Sequence, residues 1–303
     1  MTTVTQTETT TTPVASTPPS AKPAPQKAAA FNRHRRTRVV KWILLVLISI
    51  SVLFPLAWMV IAGFKGRTEV LKSPFQFFPE MWNPANYVAI VQDPVFSRAM
   101  LVTFIGALIF TALSLAVNSM AAYALARLDF VGKRFWWVFC ILPMFIPGMA
   151  ILLTSFMVVS ALGMLDTLAV LIIPGVASAI QMFFLRQFYL NMPIAVEEAA
   201  LIDGATRWQI FLRIFVPQSA AVFVVVGIGS YMAYWNAYVW PILTISNPDL
   251  IQIMQFLGTF RQERGNDWGM LMAGSTLAAL PTIALVLFFQ RYIVNGVRIS
   301  GLK

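Results

Sequence analysis

The chain has 303 residues, of which 58% are hydrophobic and 11% charged, and its mean hydropathy is +0.74. A soluble domain carries roughly 25% charged residues to cover its surface, so this composition excludes a water-soluble globular protein and makes lipid the solvent. The formal charge of +10 does not point to nucleic acid, because the basic residues flank apolar stretches in the manner of the positive-inside rule.

In chain order, residues 1–30 are rich in Thr, Pro, Ala and Lys and show no apolar periodicity. Such a segment cannot bury enough surface to offset its ordering entropy, which predicts a disordered cytoplasmic tail. A basic cluster, Arg33–Arg38, and then a full-length apolar stretch follow it, which is not the pattern of a cleaved signal peptide. Residues 31–303 are expected to form one transmembrane domain. The single His34 lies in the basic cluster without partners for a metal site. The single Cys140 lies in an apolar run, so there is no disulfide framework.

A helix crossing the hydrocarbon core needs about 20 apolar residues. Six stretches qualify: 42–64, 99–126, 135–161, 167–185, 219–245 and 269–292. They predict an all-α polytopic membrane protein of about six spans. Of the 22 Lys and Arg, only Lys65, Arg67, Lys72, Arg98, Arg261 and Arg264 fall on one side of such a topology. Both termini are therefore expected in the cytoplasm. Outer loops then lie near 65–98, 162–166 and 246–268, and inner segments near 127–134 and 186–218. No internal repeat of the inverted kind found in many secondary transporters is visible.

The longer inner segment, Asn191–Pro217, has its own helix signals. Asn191 is expected to cap a helix with Pro193 in its first turn. Glu197 and Glu198 fall early in that helix, where its dipole favours negative charge, and Ala199, Ala200 and Leu201 propagate it. Gly204 can take the left-handed conformation that ends it. Thr206 caps a second helix, 207–216, closed by Pro217. The pattern predicts a helix–turn–helix on the cytoplasmic face, with alanines leaving a surface another protein can approach closely.

Glu198-Ala199-Ala200, Asp203-Gly204-Ala205, Ile214 and Pro217 resemble the "EAA" loop of bacterial ABC importer permeases. Further stretches are similar to the carbohydrate-uptake branch, the MalG-like subunits. These are Ala122–Arg127, Leu185–Phe188, Trp235-Asn236 with Trp240-Pro241, Asp267–Gly269 with Met272–Gly274, and Gln290–Tyr292. The resemblance runs from about Trp42 to the C-terminus, although Gly296–Lys303 matches the family's ending only in part. It implies the type I importer permease fold and residence in the bacterial plasma membrane. It also implies that the first loop helix docks on an ATP-hydrolysing subunit, with Glu197, Glu198, Ala199, Ala200, Asp203, Gly204 and Ala205 as the coupling contact. The expected assembly contains a second, related permease, two copies of the ATPase and an extracytoplasmic solute-binding protein, all served by membrane lipid.

The chain has no Gly-x-x-x-x-Gly-Lys-Ser/Thr phosphate loop; its only Gly-Lys pair, Gly132-Lys133, is followed by Arg134. It is therefore expected to be a transport subunit rather than an enzyme. It would bind no cofactor of its own, with ATP and Mg used by the partner. Asp166, at the outer edge of the fourth stretch, is the acidic residue nearest to a span. A stand-alone secondary carrier or channel, the alternative reading, would ordinarily place Asp, Glu or His at membrane depth. A membrane-embedded enzyme would need a convergent polar constellation there, and none is present in the sequence.

The polar residues within the stretches include Asn118, Ser119, Thr154, Ser155, Gln181, Ser230 and Asn236. Each can bond between helices. Tyr231, Tyr234, Trp235, Asn236 and Tyr238 recur at helical spacing and could line a sugar path, since aromatic faces pack on sugar C–H faces. An interfacial aromatic belt or plain packing explains them as well. By the same resemblance, the outer loop 246–268 would reach the solute-binding protein through Gln252, Gln255, Arg261, Glu263 and Asn266. An ordinary solvated connection is the competing reading.

Overall fold

The computed structural model describes residues 26–262 and 267–300, with side chains placed for 38–261 and 267–292. The Thr/Pro-rich stretch through residue 25, and Glu263 and Asn266 of the outer loop, lie outside the described residues. Among the described residues the regular structure is helical throughout, with no strand.

The chain divides into two units, 1–55 and 56–303. Helix α1 (Gln26–Ala62) starts within the stretch read as tail and carries Pro55 inside it. Its residues 38–54 are exposed all around the helix. An apolar surface on every face is stable only against lipid or another apolar partner.

The second unit takes in the last turns of α1 and a 3-10 turn, Glu69–Leu71, before α2 (Ala85–Gln92) and α3 (Pro94–Arg127). Asp93 caps α3, accepting from the Val95 amide at 2.8 Å, and Pro94 supplies the first turn. There follow α4 (Lys133–Ile141), α5 (Gly148–Ala161), α6 (Leu168–Ile172) and α7 (Ala179–Leu190). The loop segment holds α8 (Ile194–Ile202), α9 (Arg207–Ile210) and the short α10 (Val216–Gln218). Then come α11 (Ala220–Trp235), α12 (Val239–Thr244), α13 (Ile253–Gln262) and α14 (Trp268–Ser300).

α3 is the central post. α7 and α11 both pack along it. One core surrounds its N-terminal half, joining Phe96, Ala99, Ala107 and Phe110 to Tyr231, Tyr234 and Trp235 of α11 and to Ile253, Phe256 and Phe260 of α13. A second core surrounds its C-terminal end, joining Ala122, Tyr123 and Ala126 to Leu185 and Tyr189 of α7 and to Ile210, Phe211 and Phe215 of the loop segment.

Three described helices, Arg38–Ala62, Pro94–Arg127 and Trp268–Tyr292, are each long and apolar enough to cross a membrane; each of three bent pairs also passes as one broken span, giving up to six. The breaks are absent from the apolar pattern of the sequence, which runs through them. Within 135–161 the chain turns by 106°. Pro143 opens a 3-10 turn, Leu142–Phe145, Ile146 is extended, and Pro147 has no N–H to continue a helix. Within 167–185 the chain turns by 46° after a 3-10 turn, Ile173–Gly175, that contains Pro174. The stretch 219–245 is likewise two helices, since α11 ends at Trp235 and α12 begins at Val239.

The segment after α12 is not an open connection. α13 buries Ile253, Phe256, Leu257 and Phe260. Asp166, with a left-handed φ of 57°, ties this region to the turn after α5: its amide donates to the Thr244 carbonyl at 3.0 Å. Its carboxylate accepts from the amides of Ser246 and Asn247, the latter at 2.8 Å. The acidic residue at the edge of the fourth stretch thus has a structural duty.

Between α1 and α2, Lys65 is buried, donates to the Gln76 carbonyl and stands 4.5 Å over the Trp58 ring. Burial pushes its ammonium below the usual lysine range, against the opposing pull of Glu69 and Glu80.

Candidate coupling site

The Asn191–Pro217 segment forms a compact turned pair of helices, and its local chemistry explains most of that shape. α8 ends at Ile202, Asp203 leaves the helix, and Gly204 takes φ +79°, where an L side chain is strained. Thr206 then caps α9 through the Gln209 amide, while the Gln209 side chain accepts from the Thr206 amide at 2.8 Å. This reciprocal box satisfies two N-terminal donors at once.

Two details differ from the sequence reading. Asn191 does not cap α8; it closes α7, and its Nδ2 turns back to the Gln187 carbonyl at 2.7 Å. Pro193 stands at the cap position of α8 instead, with no side-chain bond. The second loop helix also does not run regularly to Val216. Residues Phe211–Phe215 widen into a π turn ahead of Pro217, whose ring lacks a donor and crowds the preceding carbonyls. α10 then meets α11 at Ser219, where the chain bends by 79°.

The predicted coupling residues separate into two groups. Glu198, Ala199, Asp203 and Gly204 are exposed, and Ala200 and Ala205 are half-buried against the second core. Ile194, Leu201 and Ile202 add apolar surface beside them, Ile202 at 86% exposure. Glu197 belongs elsewhere. It is 4% exposed, its carboxylate pairs with the Arg207 guanidinium, and its other oxygen lies 3.8 Å from Nη1 of Arg127. It cannot be an outward contact while buried there.

Arg127, at the C-terminus of α3, is a junction that sequence reasoning did not single out. Its Nε donates to the Tyr189 carbonyl at 3.1 Å, and its Nη2 donates to the Met192 carbonyl. Tyr189 lies in the last turn of α7 and Met192 just beyond its cap, where carbonyls lack a regular helical donor; the Tyr189 carbonyl also takes the Met192 amide at 3.2 Å. Its guanidinium also lies 5.3 Å from the Phe215 ring centroid. Nearby, the Tyr123 hydroxyl donates to the Arg207 carbonyl at 3.3 Å, and Arg186 Nε donates to the Leu125 carbonyl at 3.2 Å. A cation closing an apolar span was the available signal, but it also fits a simple positive-inside flank.

The candidate substrate-path residues are largely internal. Tyr231, Tyr234 and Trp235 are buried; Tyr231 stacks on Trp235 at 5.4 Å, and Tyr234 meets Phe110 at 5.3 Å. In this chain these three pack against neighbouring rings and do not form an open aromatic stripe. Asn236 is exposed and bonds its own helix at Met232. Tyr238 is 38% exposed. Tyr234 also joins Ser155 and Trp240 in the wall of a cavity of about 390 Å³. A larger groove of about 660 Å³ runs between α7 and α11, lined by Ser178, Gln181, Phe184 and Val225. Of the outer-loop candidates, Gln252 is buried and Gln255 donates to the Ile245 carbonyl at 3.1 Å. Among the described candidates Arg261 alone is exposed, 5.6 Å over the Trp268 ring.

A bent, lipid-exposed set of helices and a braced helix pair at one end are what a membrane transport subunit requires. The family of binding-protein-dependent transport system inner membrane components matches residues 115–299, which takes in the whole loop and more than half of the chain. The chain belongs to this family. Among its relatives is the probable ABC transporter permease protein YurM of Bacillus subtilis (strain 168), 32% identical over 86% of this chain and 87% of the relative. The arabinooligosaccharides transport system permease protein AraQ of Halalkalibacterium halodurans is 29% identical over 89% of this chain and 99% of the relative. A solved bacterial ABC transporter involved in the import of the acidic polysaccharide alginate superposes with a TM-score of 0.74, covering 91% of this permease and 100% of that chain. At 19% identity that likeness is one of fold.

Proposed function

We propose that this permease forms half of the translocation path for a sugar or sugar-like solute, and that an ATP-hydrolysing partner drives it by docking on α8. The observation that carries the proposal is the exposed surface of α8 and its turn: Ile194, Glu198, Ala199, Ile202 and Gly204 face away from the chain. A solvated loop has little use for such apolar exposure, whereas a protein partner covers it. Small side chains at Ala199 and Gly204 permit close approach. The carbohydrate class rests on relatives such as the arabino-oligosaccharide permease, and the family description supports a binding-protein partner.

The same reading places a second, related permease alongside, two ATPase copies on the cytoplasmic face, and both termini in the cytoplasm of a bacterial plasma membrane. The ATP and Mg chemistry belongs to the partner. The stand-alone carrier reading loses ground, because Asp166 is engaged with backbone amides rather than held free at membrane depth.

The test is Ala199→Asp, which puts a charge on the exposed face without touching the core, with Gly204→Asp as a second variant at the strained φ. Both are expected to abolish uptake in cells while permease levels hold, and the ATPase should no longer co-purify. Normal uptake in both variants would overturn the assignment.

A further inference from the structure

The buried carboxylate inside the loop has a separate task. We infer that Glu197 is a positioning residue that locks α8 to α9 and to the ends of α3 and α7, so that displacement of the docking surface moves those spans together. This rests on the docking role proposed above, but it concerns a residue that faces away from the docking surface.

The geometry supports a lock in three steps. Glu197 sits in the first turn of α8 with its side chain 6% exposed. One oxygen takes the Arg207 guanidinium across the Gly204 turn, so the two loop helices cannot part without separating a buried charge. The other faces Arg127 at 3.8 Å, and Arg127 in turn holds the Tyr189 carbonyl of α7 and the Met192 carbonyl just after it. α3, α7, α8 and α9 therefore converge on one carboxylate. Among the described residues, the other polar ties of the loop are its caps and turns and the Tyr123 hydroxyl on the Arg207 carbonyl, which joins α3 to α9; Ala200 meets the second core by apolar packing alone.

Buried pairs are poor sources of net stability yet costly to break halfway, because the charge left behind is unpaired. That makes them suited to fixing one arrangement. Here the cost of Glu197→Gln is softened, since the Arg207 side chain is 48% exposed and can turn to water, and Arg127 keeps its carbonyl partners.

The experiment uses the full importer, with its ATPase and binding protein, in proteoliposomes supplied with ATP. For Glu197→Gln the complex should assemble with its ATPase, and hydrolysis should continue. Solute moved per ATP hydrolysed should fall about tenfold, within the range of ordinary coupling energies. Glu197→Asp, which keeps the charge, should recover part of the loss. If Glu197→Gln protein fails to accumulate, Arg207→Gln breaks the same pair from its exposed end and should show the same fall.

An unchanged transport-to-ATP ratio in Glu197→Gln or Arg207→Gln would overturn the inference. So would loss of ATPase co-purification from a stably folded Glu197→Gln permease, which would make Glu197 a direct contact. Should Ala199→Asp and Gly204→Asp both leave uptake intact, the docking reading itself fails. Loss of uptake in Ala199→Asp beside normal coupling in Glu197→Gln removes only this inference.

Discussion

At Gly106 the absence of a side chain decides how closely α3 and α11 approach. A Cβ there would stand 2.2 Å from the Tyr234 hydroxyl oxygen and 2.7 Å from Cζ of the same ring. Tyr234 is buried and held against Phe110, so it cannot simply swing aside. Gly106→Ala is expected to cost about 1–3 kcal/mol, the usual penalty for forcing an extra carbon into a close-packed site. Thermal unfolding in detergent should show a lower midpoint. Adding Tyr234→Phe removes the nearest clashing atom and should recover part of the loss, a non-additivity expected of side chains in contact. Additive effects in the double variant would mean that the two helices do not meet at this point.

Among the elements, the broken fourth stretch shows how a polar residue at depth can be structural. Asn118 on α3 donates to the Val176 carbonyl at 2.8 Å and accepts from the Ser178 amide at 2.8 Å, closing over the break between α6 and α7. Ser114 adds bonds to the Val176 carbonyl at 2.9 Å and to the Gln181 side chain at 2.8 Å. Backbone groups freed from a helix must find partners, because lipid offers none. Asn118→Ala orphans an amide and weakens the hold on a carbonyl, at an expected cost of about 1–3 kcal/mol. Thermal unfolding and uptake should both decline, whereas an unchanged midpoint would remove the clamp. The caps at Thr206 and Gly204 were legible in the sequence because they depend on neighbours within three or four positions. The break at Val176–Ser178 was not, because its partner lies about sixty residues away and apolar residues continue through it. Glu197 looked like a surface acid for the same reason: nothing local announces Arg127. Gln252 read as a loop contact, yet α13 folds it inward by burying the apolar residues around it.

For the whole molecule, sidedness follows from charge and fixes where each surface can act. The chain is an apolar membrane component with its basic residues concentrated on the segments that include the Asn191–Pro217 loop. Positive flanks are retained on the cytoplasmic side, so α8 and its turn are expected inside and the segment around Asp249 outside. Two positions distinguish this arrangement from its inverse. Ile202 is 86% exposed at the end of α8, and Asp249 is exposed beyond α12, paired on the surface with Arg98. Single cysteines can be introduced at each in a Cys140→Ala background, since Cys140 is the native thiol. A membrane-impermeant maleimide added to intact cells should label Asp249→Cys and spare Ile202→Cys until the membrane is opened. The reverse pattern would place the coupling loop outside, where no cytoplasmic ATPase could reach it, and would refute the proposed mechanism together with the topology.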